Sequence, residues 1–263
     1  MKLSGLHILL TYQCTYECDH CFVWGSPQQS GTLTIEQVEQ ILAQAKSDIK
    51  VLSLEEMLYA ATLTTDNNEK LAFYQGALAS NPQCVRAANN IGYCQMLLGK
   101  NDEALAAFEK AKAINNTDVV KNNMAFAYLV KGDLAKAEET FNSMTAATAE
   151  SKWGLGVIAI VRGEYDKAVN FFGSEPCFNA ALALLLKGDV NKAKVTLDTT
   201  KDLCKGKVPY LKGVVGARLK DRDYMLNGLR EAVGVSANWK AYAKTDVEFA
   251  AFWNDETFKS IVQ

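Results

Sequence analysis

Three cysteines near the start of the chain have the spacing of a metal-cluster site. Cys14, Cys18 and Cys21 form the pattern CxxxCxxC within one short stretch. Thiolates are the usual ligands of iron–sulfur clusters, and three of them on one loop can hold three irons of a [4Fe–4S] cluster while the fourth iron stays open. Two alternatives are a zinc knuckle that lacks its fourth ligand and a chance spacing.

The segments on either side of these cysteines are suited to position a loop. The apolar run at 6–11 predicts a short buried strand before the cysteines, and residues 33–45 predict a helix after them, capped by Thr34. The order of strand, CxxxCxxC loop and helix resembles the opening βα unit of the radical SAM enzymes. The resemblance implies that Cys14, Cys18 and Cys21 ligate a [4Fe–4S] cluster and that S-adenosylmethionine binds its open iron.

The rest of the chain departs from that family. The resemblance covers about 48 residues, and neither the Gly-Gly-Glu segment of the second strand nor the remaining βα units of the family's barrel are present. A cluster loop without barrel walls cannot confine a radical, so the motif predicts cluster ligation rather than catalysis by this chain alone. A radical SAM activity would require a barrel supplied in trans. Residues 1–48 are then interpreted either as a segment fused to the rest of the chain at 47–50 or as a vestige of such an enzyme.

The remaining sequence offers no catalytic constellation. His7 and His20 are the only histidines, so no Ser-His-Asp or Cys-His pair is expected beyond the N-terminal segment. Cys94 and Cys177 lie among apolar neighbours and are predicted to be buried small side chains rather than ligands. The Gly154–Gly156 pair falls inside a predicted helix, which argues against a phosphate-binding loop.

A repeated pattern dominates the middle of the chain, between Ala88 and Met144. Two copies can be aligned at one constant offset, which pairs Ile91 with Met124, Gly92 with Ala125, Gly99 with Gly132, Ala104 with Ala137 and Phe108 with Phe141. A fixed period of about 33 residues indicates stacked supersecondary units.

Each copy predicts two helices. The first helix of a copy has an apolar stripe and ends at the glycine, and the second is predicted to begin at Asp102 as N-cap in the first copy. Small residues such as Gly92 and Ala104 allow the two helices to approach closely, and Phe108 fills the groove between them. This pattern resembles the tetratricopeptide repeat (TPR).

The pattern extends in both directions from these two copies. It predicts a mostly α fold: an α-solenoid of about five TPR-like helix pairs over residues 51–263, with a C-terminal cap, behind the short strand–loop–helix segment at 1–48. Ser53 is the predicted N-cap of the first helix. Gly188 follows Gly163 after less than one full period, so helices are predicted to be shortened between them.

The array predicts a scaffold for protein–protein interaction. The resemblance implies that the first helices line a groove that binds a peptide segment of another protein. Asn89, Asn90, Asn122 and Asn123 fall at the starts of successive first helices, where their amides could bond a peptide backbone or serve only as caps and surface polarity.

The overall composition limits the kinds of partner and the cellular location that can be expected. A formal net charge of −2 and the lack of a long basic run argue against nucleic acid as a partner. No apolar run is long enough for a membrane span, and the N-terminus lacks the cleavage site of a signal peptide. Seven cysteines without paired spacing favour a reducing compartment, and a cytoplasmic location is expected.

Overall fold

A computed structural model describes residues 52–203 and 205–263. The predicted strand at 6–11, the cluster loop with Cys14, Cys18 and Cys21, and the predicted helix at 33–45 all lie outside the described residues, as does Cys204. Contacts divide the chain into two compact units, with the boundary between Asn115 and Asn116.

The described part of unit 1 consists of four helices that form two pairs, and short turns connect successive helices. They are α1 (Leu54–Leu63), α2 (Asn67–Ser80), α3 (Val85–Leu97) and α4 (Asn101–Ile114). The predicted start of α1 is confirmed, since Ser53 Oγ accepts a hydrogen bond from the Glu56 amide and Glu56 Oε2 accepts one from the Ser53 amide. The predicted N-cap of α4 was wrong, because Lys100 holds that position and Asp102 lies within the first turn.

The close approach of α3 and α4 is built on one glycine. A Cβ added to Gly92 would lie 2.6 Å from the nearest ring atom of Phe108, and that ring is fully buried. The predicted pairing of a small residue with a phenylalanine is therefore confirmed. Around it, the interior of unit 1 is formed by a cluster that joins all four helices; its members include Met57, Leu58, Tyr74, Ala87, Ile91 and Ala107.

Unit 2 continues the same helix pairs and ends in three short helices. The pairs are α5 (Asp118–Lys131) with α6 (Leu134–Asn142), α7 (Ala149–Val161) with α8 (Tyr165–Phe172), α9 (Phe178–Lys187) with α10 (Val190–Thr199), and α11 (Lys207–Leu219) with α12 (Arg222–Val235). The chain then forms α13 (Asn238–Thr245), a 3₁₀ helix (Val247–Phe252) and α14 (Glu256–Val262).

The short spacing between Gly163 and Gly188 arises from two shortened helices. The second helix of that interval, α8, has 8 residues, and the following first helix, α9, has 10. The turns nevertheless keep the same geometry, since Gly132, Gly163 and Gly188 all have positive φ at or just after the end of a first helix.

Large apolar side chains fill the C-terminal part of unit 2. Leu185, Leu197, Val215 and Leu229 are almost fully buried in one cluster that runs from α9 to α14. The aromatic rings of the terminal segment complete it, because Phe249 and Phe258 are buried with ring centroids 5.8 Å apart. These terminal helices cover the apolar side of the last pair, as an end cap of stacked repeats must.

The predicted fold class is confirmed over the described residues. Helices are the regular secondary structure there, and consecutive helices pack as repeated pairs of the TPR type. The described residues contain six such pairs, two in unit 1 and four in unit 2, where the sequence predicted about five.

Candidate functional site

The first helices of the pairs in unit 2 form a continuous row. Besides packing on its own partner, α5 contacts α7, α7 contacts α9, and α9 contacts α11. A side chain at one position of such a helix therefore has a counterpart on the next helix of the row.

Exposed apolar side chains lie on several helices of this row, and at one position they recur from helix to helix. On α5, spacings of seven and four residues place three of them on one face of the helix. The last member on each of α5, α7 and α9 holds the same place before the glycine that ends its helix. We call this set the first-helix face: Val119, Phe126, Val130, Trp153, Val161 and Leu186. All of them except the half-buried Phe126 are exposed.

The repeat also relates this face to the predicted groove residues. Trp153 occupies on α7 the position that Asn122 occupies on α5, just as Val161 corresponds to Val130. Asn122 lies one turn after Val119 and one turn before Phe126, so it belongs to the same side of α5 as the apolar members.

An aromatic contact joins the first two helices of the face. The centroid of the Phe126 ring lies 6.1 Å from the centroid of the Trp153 ring. It lies 5.2 Å from the centroid of the buried Phe141 ring, which it contacts edge-on. The adjacent Gly154 makes room for Phe141, because a Cβ there would overlap its ring. Phe126 therefore packs against the core through Phe141 and contacts Trp153 on its other side.

Unit 1 carries the same pattern on its two first helices. Tyr59 and Leu63 of α1 are exposed, and so are their counterparts in the next repeat, Tyr93 and Leu97 of α3. Sequence reasoning missed these positions in both units. The signal was available, because aromatic residues at 59, 93 and 126 follow the repeat period, but an apolar position within a helix is by default predicted to belong to the core.

The predicted groove residues of unit 1 interact with each other. Asn89 is a buried polar residue of α3, and its Nδ2 donates a hydrogen bond of 3.3 Å to Oδ1 of Asn90. Asn89 lies one turn before Tyr93, which places it at the start of the same helix face.

The predicted groove residues of unit 2 differ in their surroundings. Asn122 and Asn123 are both half-buried. Oδ1 of Asn122 is buried and accepts no hydrogen bond within the described part of the chain. A buried carbonyl oxygen without a donor costs free energy of folding, so Asn122 is not explained by packing alone.

A hydrogen-bonded junction fixes the start of α5 against the loop before α7. The Asp118 carboxylate accepts bonds from the amides of Thr145 and Ala146 and from the Thr145 hydroxyl, and Lys121 donates to the Ser143 carbonyl at 2.8 Å. The bonds that Asp118 accepts, chiefly the one from the Thr145 hydroxyl, lower the pKa of its carboxyl group to about 2.

The two cysteines that were predicted to be buried differ in the structure. Cys94 is buried as predicted, and burial raises the pKa of its thiol. Cys177 is half-buried and caps α9, since its Sγ accepts a bond from the Ala180 amide. No group of three His, Cys, Asp or Glu residues within 52–203 and 205–263 could hold a metal ion. The Gly154–Gly156 pair lies inside α7, as predicted.

The sequence comparison supports the repeat assignment locally. Residues 71–119 match the family described as tetratricopeptide repeat. This segment includes most of α2, the whole of α3 and α4, and the first two residues of α5. The close packing of Gly92 against Phe108 lies within it. No curated protein matches the chain.

Solved structures share the fold at low sequence identity. The APC/C hetero-tetramer Cut9–Hcn1 is similar with a TM-score of 0.66 and 14% identity, over 87% of this chain and 46% of that chain. A tetratricopeptide repeat protein from Parabacteroides merdae ATCC 43184 is similar with a TM-score of 0.59 and 13% identity, over 87% of this chain and 90% of that chain. The chain thus spans about half the length of the Cut9–Hcn1 chain. The protein has the helix-pair fold of TPR proteins.

None of the helices described is both long and apolar enough to cross a membrane.

Proposed function

We propose that the protein is a scaffold for protein–protein interaction and that unit 2 binds a peptide segment of another protein on the first-helix face. The observation that carries the proposal is one equivalent position that is apolar and exposed on each of α5, α7 and α9, held by Val130, Val161 and Leu186. In unit 2, α5 contacts α7 and α7 contacts α9. Apolar side chains that repeat in register on neighbouring helices form one patch, and such a patch is typical of an interaction site.

The polar residues next to the face provide the second part of the proposal. Asn122 and Asn123 lie within one turn of Phe126, and a side-chain amide can both donate to and accept from a peptide backbone. Asn89 and Asn90 hold the equivalent positions in unit 1, beside Tyr93. Cut9–Hcn1, which shares the fold, is a hetero-tetramer, in line with an interaction role for helix pairs of this type.

The test is selection of random 12-residue peptides on the immobilised chain, followed by hydrogen–deuterium exchange with a selected, synthesised peptide. We expect protection of α5, α7 and α9 on binding, with little change in α6, α8 and α10. Failure to enrich any peptide, or protection confined to the second helices, would contradict the proposal. Peptides selected in parallel on an unrelated helical protein serve as the control for nonspecific binders.

As a second proposal, the N-terminal segment binds a [4Fe–4S] cluster through Cys14, Cys18 and Cys21. It is carried by the CxxxCxxC spacing alone, and catalysis with S-adenosylmethionine would need a barrel from another chain. Anaerobic reconstitution with iron and sulfide tests it: about four irons per chain are expected, with loss of the visible absorption in Cys18→Ser. A colourless protein after reconstitution would contradict it. The cytoplasmic location and the lack of a nucleic-acid partner stay predictions.

A further inference from the structure

Two cations beside the first-helix face are already paired with carboxylates of the same chain. Arg162 directly follows Val161, and its Nη1 lies 2.6 Å from Glu138 on α6. Lys187 directly follows Leu186, and its Nζ lies 2.7 Å from Asp166 on α8. Both cations therefore tie a first helix to the preceding second helix, and the carboxylate of a ligand would have to compete with an existing partner.

The start of α5 shows the same use of a cation. Nζ of Lys121 is 3.5 Å from the Asp118 carboxylate and also donates to the Ser143 carbonyl, and the side chain is largely buried. Lys121 thus has both an ionic and a hydrogen-bonding partner close to Val119. Lys152, beside Trp153, is exposed, but adjacent residues point about 100° apart round a helix, so it lies off the face.

The charge that does lie on the face is negative. Glu150 is exposed and occupies in α7 the position that Val119 occupies in α5, one repeat earlier. Its pKa is lowered, first by the hydrogen bond from its own backbone amide and then by that from Thr148, so it is ionised at neutral pH. An acidic ligand would meet repulsion here rather than a binding partner.

We propose that the segment bound on the first-helix face is apolar, presenting aliphatic or aromatic side chains to α5, α7 and α9, and that it carries no cluster of acidic residues. This inference rests on the proposed function, because it names the chemistry of the partner for the same face. It follows from the exposure of Val130, Val161 and Leu186 together with the pairing of the neighbouring cations. Affinity then comes from burial of apolar surface, which salt does not screen.

Two matched substitutions test the contribution of the face. Val161→Lys places a charge at a position that is 63% exposed on the first helix α7, and Val195→Lys does so at a position that is 68% exposed on the second helix α10. Because both side chains are largely in solvent, neither change should alter the helix content or the thermal midpoint. The probe is the strongest binder from the random 12-residue library, synthesised and measured by calorimetry in low and high salt.

The expected result is a set of selected peptides rich in aliphatic and aromatic residues, with at least a tenfold loss of affinity in Val161→Lys, about 1.4 kcal/mol, and none in Val195→Lys. Affinity should be nearly independent of salt. Selected peptides that are acidic or lose affinity in high salt would overturn this inference and leave the proposed function standing. Equal binding by Val161→Lys and Val195→Lys would overturn both, because binding would then not depend on the first-helix face. A library that yields no binder would overturn both.

Discussion

The ring of Phe126 in α5 lies 6.1 Å from the ring of Trp153 in α7, across the line where two successive repeats meet. This contact is on the exposed side of both helices, whereas the other neighbour of Phe126, the Phe141 ring, is buried. One aromatic side chain therefore connects the core of a repeat with the face that we propose as the binding site. A substitution that loosens this contact should affect stability and binding together.

A double-mutant cycle measures that contact directly. Phe126→Ala and Trp153→Ala should show a coupling free energy of about 0.5–1.5 kcal/mol in urea unfolding, because aromatic pairs at this separation attract each other beyond their burial. The control cycle pairs Trp153→Ala with Val195→Ala on α10, which should be additive to within about 0.5 kcal/mol. Additivity in the Phe126 cycle would show that the two rings are neighbours without energetic coupling.

Two glycines in helices provide a matched pair for the packing of the repeat. Gly92→Ala should lower the free energy of unfolding by about 1–3 kcal/mol, because the new methyl group would overlap the buried Phe108 ring. Gly234→Ala in α12 meets no atom within 4 Å, so it should be neutral or raise the free energy of unfolding by up to about 1 kcal/mol through helix propensity. Thermal and urea unfolding of the two variants would measure the difference. Equal effects at the two sites would contradict the close approach of α3 and α4.

The packing of small residues against phenylalanine was predictable from sequence because it repeats. A residue that must be small, such as Gly92, and the ring that occupies its place, Phe108, recur at a fixed offset, and a steric requirement of this kind survives as a sequence pattern. The shortening of helices was also predictable from the distance between Gly163 and Gly188, although the sequence could not say whether α8 or α9 was shortened.

The exposed face was not predicted, for a physical reason. Tyr93 and Ile91 are both apolar residues in the same helix, and hydrophobicity alone does not reveal that Ile91 is buried while Tyr93 is exposed. The direction of each side chain depends on where the neighbouring first helix packs. The contact between Phe126 and Trp153 likewise depends on two helices that are separated in the chain by α6. The start of α4 at Asn101 was also not predicted, because its N-cap Lys100 makes no side-chain cap bond that a sequence pattern could reveal.

The junction of Asp118 with Thr145 predicts a specific dependence on pH. The pKa of Asp118 is lowered to about 2, chiefly by the hydrogen bond from the Thr145 hydroxyl, so the folded state favours the ionised carboxylate. Its contribution to stability should be fully present above the ordinary aspartate pKa of about 3.9 and should be lost as the pH falls through about 2. The thermal midpoint of the wild type should be higher than that of Asp118→Asn at pH 6. The difference between the two midpoints should shrink toward zero near pH 2. Asp255 has a similarly low pKa, but it is present in both proteins and cancels in the comparison. A difference that stays constant between pH 6 and pH 2 would show that the charge of Asp118 does not matter.

Substitution of Asn122 distinguishes a role of its side chain in folding from a role in binding. Its buried Oδ1 accepts no hydrogen bond within the described residues, so the side chain carries a desolvation cost that Asn122→Ala removes. Alanine is also the better helix former, and we expect the free energy of unfolding to rise by about 1 kcal/mol. If Asn122 bonds the backbone of a bound peptide, the same variant should bind the selected peptide several-fold more weakly while being more stable. Asn123→Ala is a control for stability only, because Asn123 already has an interaction within the chain and its loss should offset the gain in helix propensity. A variant Asn122→Ala that is less stable than the wild type would show that the amide has a structural role, and one that is more stable with unchanged affinity would exclude Asn122 from the binding site.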